Sequence, residues 1–177
     1  MVEDLEVLLY GHPGLREKSR PVEDFDDQIA SLVRRMERAM IMERGIGLAA
    51  PQVGQRLRLL LAEDSRGAGT RTLAMVNPEI LSVSRETDNF SEGCLSLPEL
   101  FADVKRPVEI RVRYQDVQGQ EHELSDDGIL ARIIQHELDH LDGILFVDHL
   151  PVLKRKLLAR KLRAFSDRAR EQQERGI

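Results

Sequence analysis

The sequence predicts an α+β fold in which short, mostly antiparallel β-sheets surround a central buried helix carrying the run HELDH, with an N-terminal helix and a C-terminal helix. Three features predict it. The stretch "SDDGILARIIQHELDHLDG" spreads Leu130, Ile133, Ile134, Leu138 and Leu141 over much of a helix surface, as a helix in the middle of a domain requires. Short apolar or alternating runs divided by turn signals read as strands pairing with their neighbours. Helical patterns lie at both ends of this arrangement.

"DDQIASLVRRMERAMIMERG" sets Ile29, Leu32, Val33, Met36 and Met40 at helical spacing, with Asp26 or Asp27 to cap its start and Gly45 to end it. "LRLLLAE" follows as a strand, and "SRGAGTR" reads as a loop between strands. "TLAMVNPEILSVS" is extended, with a break at Asn77-Pro78. "VEIRVRYQDV" alternates apolar and polar residues, "VQGQ" turns, and "EHEL" pairs back across it. Ser125 or Asp126 caps the central helix and Gly143 stops it; "ILFVD" then reads as a short strand. Pro151 opens a third helix with an apolar stripe of Leu153, Leu157, Leu158, Leu162 and Phe165. The 177 residues fit a single domain, with a core over 1–150 and a basic C-terminal helix, 151–177, belonging to it.

Composition excludes several classes. No apolar run approaches the roughly 20 residues that span a bilayer, so no membrane partner is expected. The start "MVEDLEVLLYGHP" lacks a basic segment followed by an apolar one, so no secretory signal is expected. Cys94 is the one cysteine, so there is no disulfide partner within the chain, and a cytoplasmic location is expected. The formal charge of −5 is unevenly spread: residues 151–177 carry about +6 and the rest about −11 by counting. The plain reading of the tail is a solvated helix face. The sharper one is an arm that docks on a polyanion such as ribosomal RNA.

The chemistry sits in "QHELDH". His136 and His140 stack on one helix face with Glu137 between them, a pattern expected by chance on the order of once in a few hundred chains of this size. Two imidazoles make an incomplete centre; a catalytic site takes a third protein ligand and keeps a position open for water. Downstream completion fails: Phe146 stands where one protease pattern has a histidine, His149 lies too far along, and Glu171 and Glu174 sit in the charged tail. The strong remaining candidate is Cys94 in "SEGCLSLP", where Gly93 lets the backbone turn sharply and Pro98 ends the segment. A lone cysteine is most often a small buried hydrophobe, but a thiolate with two imidazoles completes a tetrahedral centre. Glu137, one residue past a ligand, can lean toward the open position as general base and then general acid.

Three segments together, "GIGLAAPQ", "EGCLS" and "QHELDH", resemble the signature motifs of the peptide deformylases, in order and at familiar spacing. "VLLYGHPGLREKSRPV" and "MVNPEI" resemble the family's N-terminal segment and central strand, so the likeness covers nearly all the chain. It implies a metal-dependent hydrolase that removes the N-formyl group from N-formyl-methionyl nascent peptides. It implies metal ligands at Cys94, His136 and His140 and one divalent ion, Fe(II) in the cell, with zinc, nickel or cobalt also accepted. A bacterial-type origin is implied, with an organelle or phage also open.

The resemblance assigns the Gln52 side-chain amide and the Leu95 backbone N–H to the oxyanion, and Gly47 to strand-like pairing with the peptide. Gly45 and Gly47 carry no side chains, so substrate backbone can lie against them. Ile129 and Ile133 share the face of His136 and, with Ile46 and Phe90, are candidates to line a methionine pocket or simply to pack the core. Glu92, Gly93 and Gln135 flank ligands; Glu92 and Gly93 count among the candidate substrate-binding residues, and Glu92 and Gln135 can orient ligands. Phe101 stands where many members carry an arginine that helps hold the cysteine-motif loop and the substrate backbone. In some members a C-terminal helix docks near the ribosomal exit; Lys154, Arg155, Lys156, Arg160, Lys161 and Arg163 supply the cations here. Two rivals stay open: a metallopeptidase cutting internal bonds, and a ribosome-binding module whose metal only holds the fold.

Overall fold

The computed structural model describes residues 4–177, so the first three residues of the expected 1–150 core lie outside the described residues. Its helices are α1 (Asp27–Met42), α2 (Ile129–Leu141) and α3 (Val152–Glu174). Its strands are β1 (Gly47–Ala49), β2 (Leu59–Gly67), β3 (Gly69–Val83), β4 (Thr87–Cys94), β5 (Leu97–Pro107), β6 (Ile110–Gln115) and β7 (Glu121–Asp126). Every strand pair is antiparallel: a five-stranded sheet ordered β1-β2-β3-β6-β7, and a separate hairpin of β4 with β5.

The apolar run of β2 has a direct cause. Leu59 and Leu61 pack with Met36 and Met40 of α1. Leu60 and Ala62 pack with Leu130, Ile134 and Leu138 of α2. A strand with helices on both faces needs apolar side chains at every position rather than at alternate ones. On β6, Ile110 and Val112 are buried, whereas Arg111 and Arg113 lie on the wet face against Glu123 and Glu79. The third cluster joins Leu8 and Leu15, Leu97 and Leu100 of β5, and Phe146.

Several local expectations are corrected. Helix α1 is capped by Asp26, whose Oδ1 accepts from Gln28 and Ile29, but Arg44 at φ 57° turns the chain, not Gly45. Residues 65–71 are no open loop: β2 and β3 run on through them, braced by the Asp64 carboxylate on Arg66 and Arg71. The break at Asn77 is a bulge within β3, with Asn77 at φ 50° and its side chain bonded to Val22 and Gln115. Gly93 makes no turn and Pro98 ends no segment; both lie within strands, and glycine at 93 leaves room for the Phe101 ring across the ladder. Helix α2 starts after Gly128, with Asp126 Oδ2 accepting from Gly128 and Ala131. Gly143, at φ 74°, follows its end and lies where a Cβ would meet the Arg16 carbonyl oxygen at 2.6 Å. Residues 146–149 form a 3₁₀ turn instead of a strand, because Asp148 Oδ2 folds back to accept from Leu145 N–H.

The apolar stripe of α3 is only partly used. Leu158, Leu162 and Phe165 pack against the third cluster, whereas Leu153 and Leu157 are 71% and 78% exposed. The far half of the helix is tied down by buried Gln172, which accepts from Leu9 N–H and donates to the Val7 carbonyl and Glu6, all at 2.9 Å.

Candidate active site

Three elements meet at an open cleft of about 490 Å³: the β1 strand with its flanking residues, the end of β4, and one face of α2. The helix supplies His136, Glu137 and His140, all buried, because α2 is covered on most sides. Strand β4 supplies Cys94 at its last position, where a register shift loosens the ladder. The donor atoms of Cys94, His136 and His140 all lie within 4.8 Å of one another. Cys94 Sγ is 3.3 Å from His140 Nε2, close to the edge of about 3.5 Å that a tetrahedron with metal bonds of 2.0–2.3 Å requires.

Glu137 enters beside this triad. Its Oε2 is buried without a protein partner among the described residues. Its Oε1 occupies the space of a Gly47 side chain: a Cβ there would stand 2.5 Å away. Burial pushes the Glu137 carboxyl up to about 7, so it is poised to take and return a proton near neutrality. Burial also lowers both imidazoles, but hydrogen bonds to Cys94 and Glu92 outweigh it at His136 and hold that ring well above its ordinary value. At His140, burial and the neighbouring His136 push the ring well below. The two rings meet edge to face at 5.1 Å.

Behind the imidazoles runs a buried charge network. Glu92 sits 3.0 Å from His136 Nδ1 and accepts from Arg106 at 2.7 and 3.0 Å and from Arg132 at 3.2 Å. Burial raises the Glu92 carboxyl, but His136 and Arg106 outweigh it and bring it down to about 2. Arg106 reaches onward to Asp139 at 2.7 Å, and Asp139 meets His149 at 2.7 Å. This network holds His136 in one ring orientation, as metal-binding imidazoles require. Gln135 does not join it: its amide donates to the Pro107 and Ala131 carbonyls, correcting its expected role in orienting a ligand.

Gln52 is buried; its Oε1 accepts from Ala49 N–H at 2.8 Å, which turns Nε2 toward Cys94 Sγ at 3.5 Å and Ser96 Oγ at 3.2 Å. Leu95 faces Gly45, where an added Cβ would meet Leu95 Cδ1 at 2.7 Å. Gly45, Ile46, Gly47, Phe90, Gly93, Ile129 and Ile133 all line the cleft. Glu92 lines it too, although its carboxylate is engaged in the network. Two buried arginines escape sequence reasoning. Arg132 falls three residues after Ile129 and four before His136, so helical spacing alone could have flagged it. Arg106 carries no such signal, because β5 and α2 are brought together only by folding. A second cleft, about 530 Å³, lies across α2, but its Arg58 and Arg106 are already paired with Asp142 and Asp139.

Comparison with known proteins agrees with the motifs. Residues 4–156 match the polypeptide deformylase family. The peptide deformylase of Bartonella tribocorum is 45% identical over 162 residues, which are 90% of this chain and 89% of the relative. That of Thermotoga petrophila is 42% identical over 156 residues, covering 88% and 93%. Among solved structures, peptide deformylase from Thermus thermophilus superposes with a TM-score of 0.85 at 43% identity, covering 92% of this chain and 98% of that one. Arabidopsis thaliana peptide deformylase 1B, in complex with an inhibitor, gives 0.88 at 34% identity, covering 95% and 93%.

Proposed function

The chain belongs to the polypeptide deformylase family, and from that premise we propose that it removes the N-formyl group from the terminal formyl-methionine of newly made polypeptides, releasing formate. One observation carries the reading to this chain: a thiol and two imidazoles converge to within 4.8 Å beside a buried carboxylate oxygen with no partner among the described residues, and Cys94, His136 and Glu137 line a cleft. The donor set fits a divalent ion held by Cys94 Sγ and the His136 and His140 rings. We assign Fe(II) in the cell; zinc, nickel and cobalt suit the same ligands. When bound, such an ion supplies Lewis-acid activation of water and of the formyl carbonyl.

The chain's own residues do the rest. Glu137 takes a proton from the attacking water and passes it to the leaving nitrogen as the C–N bond breaks. Gln52 Nε2 and the Leu95 N–H donate to the oxygen that gains negative charge at the formyl carbon; each such donor contributes about 3 kcal/mol. Strand β1 pairs with β2 on one side only, which supports its other edge as the rail for an extended peptide, with bare Gly45 and Gly47 allowing close approach. Phe90, Ile129 and Ile133, with Ile46 at the mouth, receive the methionine side chain. The arm of residues 151–177 belongs to the same domain as residues 1–150, supported by the Gln172 contacts. Its exposed Lys154, Arg155, Lys156 and Lys161 offer salt-sensitive attraction to ribosomal RNA, where formylated chains emerge in the cytoplasm. No helix among the described residues is long and apolar enough to cross a membrane.

The test is formate release from a formyl-methionyl peptide by anaerobically prepared Fe(II) protein, beside the unformylated peptide. Glu137→Gln is expected to keep its metal and lose about 10²–10⁴ in kcat. Cleavage of internal peptide bonds, or undiminished hydrolysis by the metal-loaded variant, refutes the assignment.

A further inference from the structure

A pocket built for a thioether needs only apolar walls, yet this one contains a buried cation. Helix α2 turns Ile129, Arg132, Ile133 and His136 toward the cleft, and Arg132 is only 8% exposed. Its guanidinium carbon lies 5.7 Å from the centroid of Phe90, the aromatic wall of the same pocket. A guanidinium has five N–H groups. On Nη1 they serve Glu92 Oε1 at 3.2 Å and the Val104 carbonyl at 3.1 Å. On Nη2 they serve the Asp88 carboxylate and, at 3.5 Å, the Asp88 carbonyl. The Nε–H donates to nothing among the described residues, and it is not one of the fully buried orphan atoms. The Arg132 side chain lines the cleft together with Phe90, Ile129 and Ile133.

We propose that Arg132 Nε–H is a donor available to the first side chain of the substrate, so that the protein also deformylates peptides beginning with formyl-methionine sulfoxide. This rests on the function proposed above and extends its substrate class. A sulfoxide oxygen is a strong acceptor where a thioether is a weak one, and a hydrogen bond from a charged donor is among the stronger kinds. An all-apolar pocket rejects an oxygenated analogue by about 10². An uncommitted donor in the wall removes most of that penalty, because the oxygen is no longer buried unpaired. The reaction is unchanged: water adds to the formyl carbon, the C–N bond breaks, the amine nitrogen gains the proton, and the sulfoxide leaves intact without any redox step. The network that fixes the guanidinium also holds Glu92, so the donor is rigid rather than swinging.

The experiment compares kcat/KM for three matched peptides, beginning with formyl-methionine, formyl-norleucine and formyl-methionine sulfoxide, on the Fe(II)-loaded protein and on Arg132→Met and Arg132→Lys. In the unaltered protein the sulfoxide is expected within about tenfold of norleucine, and in both variants the gap is expected to widen at least about fivefold. A sulfoxide-to-norleucine ratio that is the same in the unaltered protein and the variants overturns the proposal. If neither variant folds, rejection of the sulfoxide by more than about a hundredfold in the unaltered protein overturns it, and acceptance below that supports it. Turnover of formyl-methionine itself is read in every run, so failure of the sulfoxide arm stands apart from failure of the deformylase reading.

Discussion

Replacing Glu92 by glutamine removes the one carboxylate shared by His136, Arg106 and Arg132. Losing one partner of a buried ion pair costs about 3–5 kcal/mol, because the remaining charge stays desolvated. Two contacts soften the loss here. Arg106 keeps Asp139 at 2.7 Å, and Arg132 keeps Asp88. Glutamine also keeps one acceptor oxygen, so the expected cost is about 2–3 kcal/mol. For a domain of this size each kcal/mol moves Tm by about 2–4 °C, giving a fall of about 4–12 °C. Thermal unfolding of chelator-treated protein reads this free of any contribution from metal binding. The same change loosens His136, so metal affinity is expected to drop about 10–100-fold in competition with a chromogenic chelator. A Tm within 2 °C of the unaltered protein (roughly the shift of half a kcal/mol), together with unchanged metal affinity, refutes the view that this network positions the ligand.

Other outcomes follow from single contacts. Gly47→Ala puts a methyl 2.5 Å from Glu137 Oε1 and 2.8 Å from Ile133 Cγ2, so the carboxylate must shift; kcat is expected to fall about a hundredfold with metal content retained, and a fall below fivefold counts against the assignment. Asp64 is 3% exposed, and hydrogen bonds from Arg66 and Arg71 hold its carboxyl well below the ordinary range despite burial. Its stabilisation is therefore complete above the ordinary carboxylate pKa of about 4 and lost as pH falls through the lowered value. Urea midpoints of Asp64→Asn are expected below those of the unaltered protein between pH 6 and 8, with the gap closing below about pH 4; a pH-independent gap speaks against it. Gly93→Ala drives a methyl to 2.5 Å from Phe101 Cε1, but the ring is 68% exposed and can move, so the cost is about 1 kcal/mol. In a Phe101→Ala background that cost is expected to vanish in denaturant titrations, and simple additivity excludes the ring as its cause.

What the sequence alone determined is what local geometry dictates. His136, Glu137 and His140 share a helix, and 3.6 residues per turn sets their mutual placement before any tertiary contact forms. The uniformly apolar β2 and the coated α2 follow likewise from which faces must be dry. The α+β class follows from the order of such elements. Other features waited on folding. The 3₁₀ turn at Phe146–His149 depends on a side chain folding back on its own backbone, which an apolar run does not announce. The pairing of Arg106 with Glu92 and Asp139, the Arg132 cation in the cleft wall, and the approach of Cys94 to His140 across 46 positions join distant parts of the chain. Periodicity reports only which way a residue faces along its own element. What it meets there is decided when β4, β5 and α2 close on one another, since each buried charge must then find its partner.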